Sequence, residues 1–174
     1  IFTDNRGGGH LATAHLLSMG HRRIGCIMGP SHLTPSAERV QGYRQALAEA
    51  GIVPDESLIV PGDFQHRGGY AAAQKLLALQ DRPTAIFACN DLMAIGAIAA
   101  FLEHGYRIPQ DVSIIGYDDI PLASYANPKL TTIVQPAREL GQLAVERLLE
   151  RLNSPDIDAR HDVLPVSLVE RDSC

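Results

Sequence analysis

The feature that most constrains the fold of this sequence is a regular alternation of short β-rich segments with longer segments of helical periodicity. Strands are predicted at 1–3, 23–28, 57–60, 84–88, 112–116, 131–134 and 163–168. Helices are predicted at 9–19, 36–50, 67–79, 91–104 and 137–152, with a short turn at 122–125. Strands that alternate with helices pair in parallel through right-handed crossovers. The sequence therefore predicts an α/β fold with a doubly wound parallel sheet.

Glycine and proline mark several predicted helix ends. Gly20, Gly51 and Gly105 directly follow three of the helices, as expected for left-handed C-terminal caps. Thr34 followed by Pro35 predicts an N-cap with proline at the first helical position. The polar stretch 153–161 predicts a surface loop.

Composition narrows the class of protein. A chain of 174 residues, 45% hydrophobic and 20% charged, has the profile of one globular unit with a substantial core. Its net charge of −5 is the wrong sign for a surface that binds nucleic acid by itself. Neither an apolar span of roughly 18 residues nor a signal-peptide pattern is present, so we expect a cytoplasmic protein with no membrane contact. Because Ile1 lies inside a strand pattern, we expect a piece of a longer chain. The odd count of three cysteines argues against a disulfide framework, and Cys26 and Cys89 are expected to be reduced and buried.

Polar residues follow the predicted strands at their carboxyl ends, where open parallel sheets bind ligands. Carboxylates, amides, a guanidinium and one aromatic ring are predicted to converge there. The candidate ligand-binding residues are Arg39, Phe64, Asn90, Asp118, Asp4 and Gln135. Such a set suits a small neutral polyhydroxyl ligand, because the polar groups pair with hydroxyls and the ring covers an apolar sugar face.

Each candidate also has an ordinary structural interpretation. Asn90 could cap the helix that begins at 91, and Asp118 with Asp119 could cap the turn that follows. Arg39 could be a solvated helix residue, and Phe64 could belong to the core. The case for a site depends on the recurrence of these residues at the same end of successive strands.

Catalytic and cofactor sites have weaker support. Residues 7–12 match G-x-G-x-x-A after a strand, but the next strand ends without the acidic residue that binds a ribose, so no cofactor is predicted. His10, His15 and His21 are spaced five and six apart, which does not suit metal ligands on a helix, and no metal is predicted. A Mg²⁺-dependent phosphoryl-transfer enzyme that uses Asp118 and Asp119 is a more distant alternative.

The predicted helix 91–104 is apolar or glycine at every position from Leu92 to Leu102. An all-apolar helix is covered on more than one side, and the sheet covers only one. One apolar stripe comprises Leu92, Ile95, Ala99 and Leu102, and a second comprises Met93, Ala97, Ala100 and Phe101. We therefore predict a homodimer through this helix. Residues that precede this sequence in a longer chain, or the loop at 125–129, could instead cover the outer stripe.

The chain resembles the effector-binding domain of LacI/GalR-type transcription repressors, most closely the ribose-type and purine-type members. The matching motifs include GHRRIG at 20–25, GDF at 62–64, RPTA at 82–85, NDLMAIG at 90–96, PQDVS at 109–113, IGYDD at 115–119 and LTTI at 130–133. The match extends over essentially the whole chain in order.

This resemblance implies a two-lobed fold, like that of periplasmic sugar-binding proteins, with the effector between the lobes. Residues 1–22 and 132–159 would form a partial N-terminal lobe, and 23–131 with 160–174 the C-terminal lobe. The DNA-binding headpiece, the hinge helix and the first strands of the N-terminal lobe have no counterpart in these 174 residues. The effector would be a pentose such as ribose, or a purine, held by Arg39, Phe64, Asn90 and Asp118, with Asp4 and Gln135 at the lobe crossovers.

The implied function is sensing of that effector to control operator DNA binding through the missing headpiece, without enzymatic activity. The nearest alternative is a periplasmic sugar-binding protein of a transporter, which shares the fold. The reduced cysteines and the all-apolar helix favour the regulator, because a transport receptor is typically a monomer.

Overall fold

The computed structural model describes residues 1–154 and 157–174, which contain eight strands and five α-helices. The strands are β1 (Phe2–Thr3), β2 (Ile24–Met28), β3 (Ile59–Pro61), β4 (Ala85–Ala88), β5 (Ser113–Asp118), β6 (Thr131–Val134), β7 (Val163–Leu164) and β8 (Ser167–Val169). The helices are α1 (Asn5–Ser18), α2 (Thr34–Glu49), α3 (His66–Leu77), α4 (Asp91–Glu103) and α5 (Ala137–Asn153). Short 3-10 turns occupy Glu56–Leu58 and Pro121–Ser124.

The larger sheet has six strands among the described residues, in the order β3-β2-β4-β5-β6-β8. Its neighbours pair in parallel except β8, which is antiparallel to β6. The predicted α/β class with a parallel sheet is confirmed. The predicted single strand at 163–168 is wrong: β7 pairs with β1 in a separate two-stranded sheet, and β8 joins the larger one. Pro165 lies between them and has no N–H to continue a ladder.

Two predicted helix starts need correction. Helix α1 begins at Asn5 rather than at residue 9, because the Asp4 side chain accepts a hydrogen bond from the Gly7 amide and caps the helix. In α2 the N-cap is Leu33 and not Thr34, which is already helical. The C-terminal predictions are confirmed, since Gly20, Gly51 and Gly105 have φ of 93°, 70° and 81°.

Glycines let α1 and α2 pack at backbone distance. A Cβ on Gly9 would lie 2.1 Å from the Arg39 carbonyl oxygen, and one on Gly42 would lie 2.1 Å from the Arg6 carbonyl oxygen. The G-x-G-x-x-A match at 7–12 lies inside α1, whereas a dinucleotide-binding loop precedes its helix. The glycines of this segment therefore serve helix packing.

Helix α4 presents one of its two apolar stripes to the interior. Met93, Ala97, Ala100 and Phe101 are 0–1% exposed. The other stripe is partly or well exposed along its length, and Leu102 is 44% exposed. The outward stripe of α4 therefore consists of Leu92, Ile95, Ala99 and Leu102.

The predicted lobe boundaries do not coincide with the two sheets. Strand β6 belongs to the larger sheet, and α1 packs against α2 and against strands of that sheet. The division implied by the resemblance puts α1 and residues 132–134 of β6 in the N-terminal lobe, and it stays a prediction. The small β1–β7 sheet stands apart. Every residue of α5 is at least partly exposed, and four of its large apolar residues have more than half of their surface exposed: Val145, Leu148, Leu149 and Leu152.

The cysteines, the absence of a predicted membrane span and the loop at 153–161 can also be compared with the structure. Cys26 and Cys89 are buried free thiols, as predicted, and Cys174 is a partly buried one. In the described part of the chain, no helix is long and apolar enough to cross a membrane. The loop predicted at 153–161 starts at residue 154 in the structure, one residue later than predicted, because Asn153 still belongs to α5. Residues 155 and 156 of this predicted loop lie outside the described residues.

Candidate functional site

Arg39 is the centre of the candidate site. It projects from the first turns of α2 and is only 5% exposed, so the solvated interpretation is wrong. Its Nε donates to Asn5 Oδ1 at 3.0 Å, and its Nη1 donates to the Cys89 carbonyl oxygen at 2.6 Å. The guanidinium lies 3.6 Å from the centre of the Tyr117 ring. A buried cation is thus held by hydrogen bonds and by an aromatic face.

Asp118 and Gln135 join Arg39 at the ends of β5 and β6. Arg39 Nη1 lies 3.4 Å from Asp118 Oδ1, and Gln135 Nε2 donates to the same oxygen at 2.6 Å. Thr3 Oγ1 in turn donates to Gln135 Oε1 at 2.8 Å. Burial raises the pKa of the Asp118 carboxyl above its usual value, and the charge of Arg39 and the Gln135 hydrogen bond oppose that rise. The side chain of Asp118 remains 27% exposed, so its carboxylate is available to a ligand.

Asn90 and Phe64 form a second pair next to this network. Asn90 Oδ1 accepts from the Met93 amide at 2.9 Å and caps α4, and Nδ2 donates to the Phe64 carbonyl oxygen at 2.9 Å. The capping interpretation of Asn90 is thus confirmed. Phe64 is half-buried, with φ of 64°, and its ring packs over Gly29, where a Cβ would lie 2.2 Å from the ring. The Cys89 carbonyl oxygen, which accepts a hydrogen bond from Arg39, belongs to the residue directly before Asn90. The Asn90–Phe64 pair therefore lies next to the Arg39 network.

Asp4 lies at the edge of the site and is exposed. Its Oδ1 accepts from the Gly7 amide at 2.7 Å, so the carboxylate is engaged in capping α1. Its carbonyl oxygen accepts a long hydrogen bond of 3.5 Å from the Tyr117 hydroxyl. Asp4 also lines a cavity of about 510 Å³, whose other lining residues are Phe2, Thr3, Asn5, Arg6, Thr34, Glu38 and Val163.

Asp119 points to a different partner from its neighbour Asp118. Arg171 Nη2 donates to Asp119 Oδ1 at 2.7 Å. Each of the two carboxylates thus faces an arginine, which opposes the binding of Mg²⁺ between them. Over the described residues, no cluster of three or more His, Cys, Asp or Glu has the arrangement of a metal site. A cavity of about 410 Å³ runs past both carboxylates and is otherwise lined by Ile120, Pro121, Gln135, Ala137 and Leu140.

Sequence reasoning missed three residues that build the site: Tyr117, Asn5 and Thr3. Tyr117 is fully buried in β5, where an aromatic residue is ordinarily core, and only the structure reveals that its ring faces Arg39. Asn5 is the second residue after the first strand, so its place near a strand end was the available signal. Thr3 lies inside a strand pattern, which gives no such signal.

The arrangement is a polar wall at the carboxyl edge of the sheet, with the buried ring of Tyr117 against Arg39 and the partly exposed ring of Phe64 beside it. It offers a carboxylate, a guanidinium and three amides, and its groups are held in place by hydrogen bonds. Such a wall can bind hydroxyl groups in fixed directions.

Comparisons with known proteins identify the family to which this chain belongs. A family model described as periplasmic binding protein-like domain matches residues 13–174. The ribose operon repressor of Haemophilus influenzae is 48% identical over 173 residues, which cover 99% of this chain and 52% of the repressor. The repressor PurR of Photobacterium profundum is 45% identical over 166 residues, which cover 95% of this chain and 50% of PurR. The chain thus spans about half the length of the curated relatives it matches.

Solved structures agree with these relatives. The transcriptional regulator CelR in complex with cellobiose superposes with a TM-score of 0.96 at 39% identity, covering 99% of this chain and 53% of CelR. A LacI-family regulator from Enterococcus faecium with bound ribose gives a TM-score of 0.91 at 39% identity, covering 98% of this chain and 63% of the regulator. The chain belongs to the periplasmic binding protein-like domain family. Within that family, its expected resemblance to the LacI-type repressors is confirmed.

Proposed function

We propose that this chain is the effector-binding part of a LacI-type transcriptional regulator and that its effector is a small neutral sugar. The observation that carries the proposal is the network of Arg39, Asp118 and Gln135 at the carboxyl edge of the sheet. Two charges of opposite sign, each already paired, favour a neutral ligand over an ionic one because neither charge is left to be balanced.

The remaining hydrogen-bonding atoms of Arg39 and Asp118 suit sugar hydroxyls. The hydrogen bonds of Arg39 use Nε and Nη1, and those of Asp118 use Oδ1. Arg39 Nη2 and Asp118 Oδ2 are therefore the donor and the acceptor that we assign to neighbouring ligand hydroxyls. The half-buried ring of Phe64 would cover the apolar face of the sugar.

A pentose such as ribose is favoured over a purine. Hydroxyl groups use a paired donor and acceptor, whereas a purine base would gain most from a second aromatic face. The relatives include a ribose operon repressor and a regulator with bound ribose, and they also include PurR. The Phe64 ring could stack on a base as well, so a purine is the alternative outcome of the test.

The lobe division is proposed with a revised boundary. Residues 1–4 and 135–166 would belong to the partial N-terminal lobe, and α1 and β6 would join the C-terminal lobe. The exposed apolar side chains of α5 support this division, because a helix with such a surface is expected to pack against further protein. The ligand would then bind between the wall described above and the other lobe.

The proposed role as a LacI-type regulator also implies two macromolecular partners, operator DNA and a second copy of the protein. Operator DNA would be bound by a separate headpiece, since the net charge of −5 gives this chain no attraction for DNA. The outward stripe of α4 would form a homodimer that holds two headpieces at a fixed spacing. Relatives that are transcription repressors support a cytoplasmic location and a binding rather than catalytic role, and favour this reading over a periplasmic receptor.

Thermal unfolding of the full-length protein with added ligands tests the proposal. D-ribose at 100 times its Kd is expected to stabilise the folded state by about 2.7 kcal/mol. Adenine is the purine probe, and glucose 6-phosphate tests for an anionic sugar. Stabilisation by adenine alone would contradict the pentose assignment, and stabilisation by the phosphorylated sugar alone would contradict the preference for a neutral ligand.

The matched control compares two aspartates. Asp118→Ala should abolish the stabilisation by ribose, whereas Asp81→Ala should retain it, because the Asp81 side chain is 81% exposed on the surface. Equal stabilisation of both variants would show that ribose binds elsewhere.

A further inference from the structure

A fully buried carboxylate lies behind the candidate site and makes none of the proposed ligand contacts. Asp91, the first residue of α4, is 0% exposed. Its Oδ2 accepts from the Ile120 amide at 2.8 Å, and its Oδ1 accepts from Thr132 Oγ1 at 2.5 Å. Gly116 leaves the room for it, since a Cβ there would lie 2.3 Å from Asp91 Oδ1. One side chain thus joins α4, β6 and the segment after β5.

The segment that Asp91 holds is the turn that carries Asp118. Asp118 and Asp119 have φ of 118° and 56°, a region that residues with a side chain rarely adopt. Such a conformation persists only when surrounding contacts enforce it. Arg171 holds the turn through Asp119, and Asp91 holds it through the next amide, that of Ile120. The orientation of the Asp118 carboxylate therefore depends on a contact two residues away.

We propose that Asp91 is a positioning residue for effector binding: its ionised carboxylate anchors the Ile120 amide and so fixes the turn that presents Asp118 to the ligand. The proposal rests on the proposed function for its ligand, but the anchoring itself does not require a ligand. Because Asp91 also begins α4, the same contact links the ligand-binding turn to the helix with the outward apolar stripe.

The charge of Asp91 makes the anchor sensitive to pH. Burial raises the pKa of this carboxyl to about 7, against the hydrogen bonds from Thr132 and Ile120, which lower it. On the turn, the charged neighbours are Asp118 and Asp119, which raise it further. Arg171 pairs with Asp119, and β6 contributes the neutral Thr132.

Protonation of Asp91 would weaken its hold on the turn. The ionised form accepts both hydrogen bonds, and bonds to an ionised acceptor are roughly twice as strong as neutral ones. The neutral acid must use one oxygen as a donor, so one of the two bonds has to reverse. Thr132 can reverse its hydroxyl, whereas the Ile120 amide can only donate. Ligand affinity is therefore expected to rise as Asp91 ionises.

The first test needs no ligand. Hydrogen exchange of the full-length protein, followed by mass spectrometry on a peptide covering 113–124, reports the Ile120 amide. Asp91→Ala should lower the protection of this peptide by at least about tenfold relative to wild type, and Thr132→Val should leave most of it. If Asp91→Ala does not fold, Asp91→Asn is compared with wild type at pH 8, where it should be less protected. Unchanged protection in the folded variants would overturn the proposal.

The second test uses D-ribose and calorimetry at pH 6 and pH 8. Wild type should bind at least about threefold more tightly at pH 8, and Asp91→Asn should bind equally at both pH values with an affinity near that of wild type at pH 6. Glu103→Gln, at the exposed opposite end of α4, is the control and should behave as wild type. An Asp91→Asn protein that keeps the wild-type pH profile would assign it to Asp118 and overturn the proposal. Absence of ribose binding by wild type would reject the proposed function, while the exchange result would still decide the anchoring.

Discussion

Replacing Gly42 by alanine tests the packing of α1 on α2. The new methyl group would lie 2.1 Å from the Arg6 carbonyl oxygen and 2.5 Å from the His10 amide nitrogen, both of which are backbone atoms of α1. Neither atom can move without shifting its helix, so the cost should be near the upper end of the usual range for overpacking, about 3 kcal/mol. The higher helix propensity of alanine recovers about 1 kcal/mol. The net loss is about 2 kcal/mol in the free energy of unfolding.

Thermal unfolding measures this loss. For a domain of this size, about 2 kcal/mol corresponds to a decrease in Tm of roughly 4–8 °C. Gly141→Ala in α5 is the matched control, because a Cβ there meets nothing within 4 Å. It should raise Tm by a few degrees through helix propensity alone. A Gly42→Ala protein as stable as the control would refute the close approach of the two helices.

Three further predictions concern α4. Asn90→Ala removes the cap of this helix and should lower the free energy of unfolding by about 1–2 kcal/mol, measured by urea unfolding. The contribution of Asp91 to wild-type stability should fall by up to about 4 kcal/mol between pH 4 and pH 7, because the folded pKa of Asp91, about 7, lies above that of the unfolded chain and the folded state retains a proton that the unfolded state has released. Asp91→Asn should flatten that profile, and an unchanged slope would contradict the assignment. In sedimentation of the full-length protein, Ile95→Glu should give a folded monomer and Met93→Glu should unfold the chain, whereas a wild-type monomer at tens of micromolar would reject the dimer.

The architecture was largely predictable because it depends on patterns that repeat along the chain. Alternating strand and helix periods indicated the parallel sheet, and glycines after three helices indicated their ends. The errors occur where one local signal competes with a tertiary contact. The glycines at 7–9 weakened the helical pattern, but packing against α2 and the Asp4 cap extend α1 through them. The division of the last strand into β7 and β8 depends on two different partner strands, which periodicity does not report.

The candidate site was predictable to the extent that it follows from strand ends. Arg39, Asp118 and Gln135 do meet there, and Asn90 with Phe64 lies beside them. The contribution of Tyr117 could not be read from the sequence, because an aromatic residue in a buried strand has the same pattern whether it faces a cation or an aliphatic core. Likewise, the burial and hydrogen bonds of Asp91 depend on β6 and the turn after β5, which lie about thirty to forty residues away in the sequence.

Calorimetric titration of the full-length protein with D-ribose tests the central claim most directly. Wild type should bind with a measurable Kd, and Arg39→Ala and Asp118→Ala should each bind at least about 30-fold more weakly, because about 2 kcal/mol is lost when a buried partner is left unpaired. Asp81→Ala should bind as wild type does, and thermal unfolding should verify that each variant is folded. Unchanged ribose affinity in both the Arg39 and the Asp118 variants would contradict the account.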